Sequence, residues 1–167
     1  MLRLIERLLP RALHRALMPV AHRVRHRWRK WRGVPIAGVS VVITNISGDV
    51  LLLRHSYGPD VWALPGGGLK PGEDPADCAR REIAEELGVE LANLQPLKVL
   101  EEELSGSPHK AHLFTGVCDT RPVPDQREVV EARFFPSHSL PEPLGEITRR
   151  RISAWRMRGI ADQSSDS

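Results

Sequence analysis

The chain has 167 residues, 41% of them hydrophobic and 27% charged, with a formal net charge of +3. That length suits one domain with its own core, and no run of about 18 apolar residues exists, which excludes a membrane-spanning helix. Cys78 and Cys118 lack metal-ligand spacing and read as buried free thiols, which fits a reducing compartment and a cytoplasmic protein.

The charge is unevenly spread. Residues 1–33 hold ten Lys or Arg against Glu6 alone, giving +9, whereas residues 34–167 hold 14 basic and 20 acidic residues, giving −6. The basic balance therefore belongs to the N-terminal segment and says nothing about a site further along. Arg3, Arg7, Arg11 and Arg15 form one stripe of a helix, with Leu2, Ile5, Leu9, Ala12, Leu13, Ala16 and Leu17 on an apolar side. Pro10 and Pro19 interrupt it. Arg23 to Arg32 is dense in arginine, with Trp28 and Trp31 interleaved. Basic amphipathic segments with tryptophan suit an anionic membrane surface, so residues 1–32 read as a peripheral anchor. A helix docked on the domain, or a basic tail, accounts for them equally well. Arginines break every apolar core that a secretory signal would need, while a mitochondrial transit peptide shares this composition. Nucleic-acid binding is the weaker reading.

Gly33 to Pro35 makes a linker, so the chain divides into a segment 1–33 and a domain 34–167. Ile36 to Ile46 is rich in β-branched residues and predicts a buried strand, Ser47-Gly48-Asp49 a turn, and Val50 to His55 a second strand of a hairpin. Arg54, His55 and Tyr57 follow as candidates for contact with substrate phosphate or a base, although a lone His or Tyr at a strand end is more often a structural polar residue. Trp62 reads as core.

Gly67 to Val89 is the densest stretch of signals. Asp74 is a good N-cap, Pro75 fits the first helical position, Asp77 suits the first turn, and Gly88 is a natural C′ residue. A helix over 75–87 follows. Ala76, Ala79, Ile83 and Leu87 form its buried stripe. Glu82, Glu85 and Glu86 stand at i, i+3 and i+4, so their carboxylates share one side. Like charges that close repel, and hard divalent cations with oxygen ligands relieve the repulsion.

Beyond it, Leu94 to Leu104 predicts a strand whose acidic end, Glu101-Glu102-Glu103, reads as a solvated edge. Ser105 to Lys110 reads as a loop, Ala111 to Cys118 as a strand, Asp119 to Arg127 as a polar loop and Glu128 to Phe135 as a strand. Leu144 to Ile160 reads as a helix with Ile147, Ile152, Trp155 and Met157 as apolar positions. The last residues, 162–167, should fray.

The stretch resembles the Nudix box, G-x5-E-x7-R-E-U-x-E-E-x-G-U with U aliphatic. The residues that carry the resemblance are Gly67, Glu73, Arg81, Glu82, Ile83, Glu85, Glu86, Gly88 and Val89, and Trp62 to Gly68 resembles the usual approach to the box. The resemblance covers residue 34 to the end. It implies an α/β protein, a Nudix-type α/β/α sandwich with a mixed β-sheet, preceded here by the basic N-terminal segment. It implies a hydrolase that splits a diphosphate linked to another moiety, with Mg2+ or Mn2+ held by Glu82, Glu85, Glu86 and the Gly67 carbonyl. It implies a further carboxylate from a later loop, for which Glu128 is the candidate and Glu131 the reserve. Glu82 and Glu128 are the candidate bases, Glu85 stands with them as a catalytic carboxylate, and Glu73, Arg81 and Gly88 are structural. Marks of the ADP-ribose, dinucleoside polyphosphate and NADH-cleaving subfamilies are missing downstream, where Leu104, Ser105, Gly106 and Ser107 stand. The partner expected is a small-molecule diphosphate, and a homodimer is left open. The alternative is a Nudix-fold binding or regulatory module without turnover; such modules usually lose box carboxylates, and this chain keeps them.

Overall fold

The computed structural model describes residues 36–104 and 107–164. The expectations for residues 1–35, 105–106 and 165–167 lie outside those residues.

Strand β1 (Ile36–Thr44) and strand β2 (Val50–His55) are joined by the expected turn, with the Asn45 carbonyl accepting the Gly48 N–H at 3.0 Å. β1 ends two residues before Ile46, which is left exposed. Helix α1 (Pro75–Leu87) follows, then β3 (Ala92–Leu104), β4 (Ser107–Val117), β5 (Val129–Phe135) and α2 (Glu146–Ser164). The five strands form one sheet in the order β3-β4-β1-β2-β5, with β1 and β4 parallel and the other neighbours antiparallel. The sheet is mixed, as expected.

Period-two alternation sends side chains to two cores. Val39, Val41, Ile43, Leu51 and Leu53 point to one face and meet Ala79, Ile83 and Leu87 of α1. Val42, Val50 and Leu52 point to the other and meet Ile152 of α2, with Trp62 and Leu64 alongside. Trp62 is core, packed edge-on to Phe135 at 4.8 Å between ring centroids. Both cysteines are free and buried; desolvation pushes the Cys78 thiol up to about 12.

Three expectations are corrected. β4 starts at Ser107 rather than at Ala111, because Lys110, His109 and Pro108 stand opposite Glu101, Glu102 and Glu103 in one continuous ladder. Within that ladder Glu102 is not a solvated edge residue. Its side chain is 8% exposed, and its carboxylate accepts from Arg151 of α2 at 2.6 Å, while Arg151 also donates to the Ser40 hydroxyl at 2.5 Å. Finally, α2 runs from Glu146 to Ser164, and Met157 lies on its outer face, 71% exposed. Among the described residues no helix is long and apolar enough to cross a membrane.

β1 and β2 pair only beside their turn, at Thr44 and Val50. Farther on they part, and the chain from Trp62 to Leu69 fills the gap. Val39 N–H donates to the Gly67 carbonyl at 2.8 Å and Val41 N–H to the Pro65 carbonyl at 3.0 Å. On the opposite side Leu53 and Ala63 exchange both backbone bonds at 2.9 Å. The turn that precedes α1 is thereby built into the sheet.

Candidate active site

The turn and the helix behind it carry the site. α1 begins where its local signals place it: the Asp74 carboxylate accepts from Ala76 and Asp77 N–H at 2.8 and 3.3 Å. Gly88 ends it at φ 64°, in the left-handed region that favours glycine. This holds the three glutamates in register with the glycine turn.

Glu73 and Arg81 make a bidentate pair, with Nε to Oε1 at 2.7 Å and Nη2 to Oε2 at 2.9 Å. Lys70 N–H donates to the same carboxylate at 2.8 Å. Arg81, then Lys70, hold the Glu73 carboxyl down at about 2. The pair closes the loop between Gly68 and α1 into a fixed frame.

Arg81 has a second partner. Its Nη1 donates to Glu82 Oε1 at 2.6 Å, and Glu85 lies 3.4 Å away with half its side chain in solvent. Burial pushes the Glu82 carboxyl up, Arg81 opposes this, and the charges of Glu85 and Glu128 add to it. Glu86 is buried, and its Oε2 accepts the Gly66 N–H at 3.1 Å. Burial pushes its carboxyl well up, with Glu82, Glu128 and Asp125 acting in the same direction. Negative charge thus accumulates from three directions, and the Arg81 guanidinium, shared with Glu73, offsets only part of it.

The turn is shaped around a carboxylate. A side chain at Gly67 would stand 2.6 Å from each Glu82 carboxylate oxygen. Among the described residues the Gly67 carbonyl accepts one backbone bond, from Val39, and a carbonyl oxygen has a second lone pair that can meet a ligand. All these donors are oxygens, which is the set a hard divalent cation takes. Among the described residues no three acidic, histidine or cysteine side chains are gathered about one point as a metal would hold them. Arg81 draws Glu82 and, more loosely, the half-exposed Glu85, while the Gly66 N–H holds Glu86.

Glu128 arrives from the loop before β5, close enough for its charge to act on Glu82 and Glu86. Glu131, the reserve, is turned elsewhere, 2.7 Å from Arg133 and 3.7 Å from Arg54. Arg54 also pairs with Asp60 and lies 5.5 Å from the Trp62 ring centroid. The His55 and Tyr57 rings are 5.3 Å apart, and the Tyr57 hydroxyl donates to Glu128 at 3.2 Å.

Sequence reading missed Asp125. Its carboxylate accepts the N–H groups of Arg127, Glu128 and Val129 at 3.0, 3.1 and 2.9 Å. Asp125 N–H in turn donates to the Glu86 carbonyl at 3.1 Å, hooking the loop to the end of α1. The signal was available in Asp125 followed by a polar run, the pattern of an aspartate that folds the backbone just after it.

A family model described as the NUDIX domain matches residues 34–156. The RNA pyrophosphohydrolase of Rhodospirillum rubrum is 40% identical over 57 residues, 34% of this chain and 34% of that protein. The RNA pyrophosphohydrolase of Yersinia enterocolitica is 35% identical over 85 residues, 51% of this chain and 46% of that protein. The matched stretches thus span less than half the length of these curated relatives. Among solved structures, the MutT NUDIX hydrolase of Burkholderia pseudomallei aligns with a TM-score of 0.66 at 26% identity, over 72% of this chain and 98% of that one. The family match covers most of the chain, from before β1 into α2, and the chain belongs to the Nudix family.

Proposed function

We propose that the chain is a metal-dependent pyrophosphohydrolase that cleaves a diphosphate linkage in a substrate of the nucleoside diphosphate-X type. The observation that carries this reading is the Glu82 carboxylate packed against the Gly67 backbone, with Glu86 behind it and Glu128 beside it. A folded chain gathers such charge at a cost, and a polyanionic substrate would add to it, so the arrangement is suited to a bound cation. Mg2+ or Mn2+ held by Glu82, Glu85, Glu86 and the Gly67 carbonyl would neutralise the diphosphate and acidify the attacking water. To serve as a ligand Glu82 must exchange Arg81, which keeps its bidentate hold on Glu73. Glu128 is the better candidate for the general base, because it comes from a separate loop and is not drawn to Arg81. Arg54 contributes to substrate phosphate only by exchanging Asp60 or Glu131, and His55 stands next to it at the end of β2.

We further infer that residues 1–32 act as a peripheral anchor to an anionic membrane surface, on the strength of the +9 segment with its leucine face and two tryptophans.

The test is a screen of the purified chain with Mg2+ or Mn2+ against a diphosphate panel. It includes nucleoside triphosphates, ADP-ribose, nucleotide sugars, dinucleoside polyphosphates, coenzyme A, a lipid diphosphate and, prompted by the relatives, RNA with a 5′-triphosphate. Chelator-sensitive turnover of at least one member is expected. Tight binding of a member without turnover would replace the hydrolase with a binding module.

A further inference from the structure

Tyr57 is the chain's one tyrosine, and it stands two residues past β2. Its hydroxyl donates to Glu128 Oε2 at 3.2 Å, across 71 residues of sequence. The backbone on either side of that contact is held independently. Ser56 N–H donates to the Glu128 carbonyl at 2.8 Å, and the Ser56 hydroxyl donates to the Arg127 carbonyl at 2.6 Å. From the other side Asp125 takes the N–H groups of residues 127, 128 and 129. With its main chain clamped twice, Glu128 keeps freedom chiefly in its side-chain torsions.

We propose that Tyr57 is a positioning residue, whose hydroxyl fixes those torsions and aims the Glu128 carboxylate at Glu82 and Glu86. The inference rests on the reading of Glu128 as the base. A phenol that donates to Oε2 leaves Oε1 as the oxygen presented to an attacking water. The tilted His55 ring, 5.3 Å away at an interplanar angle of 34°, sets the direction of the phenol in turn. The role differs from the substrate contact that the position of Tyr57 after a strand suggests, because here the hydroxyl is spent on a carboxylate of the protein itself.

The full chain is compared with Tyr57→Phe, Glu128→Gln and the double variant on the best panel substrate. Tyr57→Phe should lower kcat about tenfold and leave KM within about twofold, as expected when a reacting group is held less well and binding is untouched. The double variant should be no slower than Glu128→Gln, because a positioning residue has nothing left to position. A readout without turnover comes from 13Cζ-labelled tyrosine, which gives one signal in this chain. That signal should move in Glu128→Gln. If the wild-type chain turns over nothing, the hydrolase reading fails, and the tyrosine signal still decides whether the contact exists. An unmoved signal overturns the inference. So does an active enzyme in which Tyr57→Phe leaves kcat unchanged or raises KM alone. Should Tyr57→Phe fail to fold, the signal in Glu128→Gln carries the decision.

Discussion

Replacing Gly67 with alanine separates the shape of the site from the stability of the fold. The added methyl would stand 2.6 Å from both Glu82 carboxylate oxygens, and ordinary contact begins at 3.4 Å. It would run into the carboxyl carbon as well, which is nearer still, so the carboxylate must retreat by more than 3.4 minus 2.6, that is by about 1 Å. It is the end of a flexible side chain, so the retreat costs only about 1 kcal/mol of rotamer strain. At a reacting centre the same shift weighs far more, because a misplacement near 1 Å costs about 10²-fold in rate. Its two neighbours act as controls. Gly66 has φ +145°, and a methyl there would run into the Val39 carbonyl and lie 2.9 Å from Ser40 Cα, both backbone of β1. Gly66→Ala should cost several kcal/mol, roughly 3, and yield little folded protein. A methyl at Gly68 would meet nothing within 4 Å among the described residues, so Gly68→Ala should resemble wild type. Thermal unfolding by circular dichroism reads the fold, calorimetric Mn2+ titration reads the ligand set, and phosphate release reads turnover. A Gly67→Ala variant with wild-type turnover and Mn2+ affinity would refute the reasoning, as would a Gly68→Ala variant equally impaired.

Glu86→Gln should lower kcat by about two to three orders of magnitude without lowering Tm, since burial already opposes the charge and the amide oxygen can still accept the Gly66 N–H; retained activity would remove Glu86 from the ligand set. The Glu73 carboxyl lies at about 2 in the fold against an ordinary 4.5, so the stability it contributes is whole above pH 4.5 and drains away as pH falls toward 2. Acid unfolding of Glu73→Gln should accordingly be flatter across that window, and superimposable curves would mean that the pair with Arg81 is not made in solution. Removing residues 1–32 should abolish salt-sensitive co-sedimentation with anionic liposomes while leaving hydrolysis of a soluble substrate intact; equal sedimentation of both chains would dismiss the anchor.

What could be read from the sequence was what local chemistry decides. Helix α1 runs from Pro75 to Leu87 as expected, because Asp74, Pro75 and Gly88 specify its ends within a few residues. β2 matches too, since its burial alternates cleanly between two cores. Long-range pairing was not legible. Glu102 looks like one member of an acidic run until Arg151 arrives from 49 residues away. Pro108 reads as a loop breaker, yet it sits in the ladder opposite Glu103. In the site, the helical spacing put the three glutamates on one stretch of α1. It carried no information on how they divide: Glu82 tight against Arg81, Glu86 into the interior, Glu85 half exposed and 3.4 Å from the same Arg81. Asp125 was overlooked because its work is on backbone N–H groups, which have no sequence letter of their own.

The chain from Trp62 to Leu69 occupies the split between β1 and β2, bonded to both. Loops that meet ligands usually belong to the least protected part of a protein and open on their own. Here the glycine turn cannot open without breaking sheet bonds at Val39, Val41 and Leu53, so its amides should exchange with solvent on the timescale of the core. The frame that holds the glutamates is therefore as durable as the protein. Adaptation to one substrate or another falls to the pieces hung around it, the end of β2 and the loop that carries Glu128.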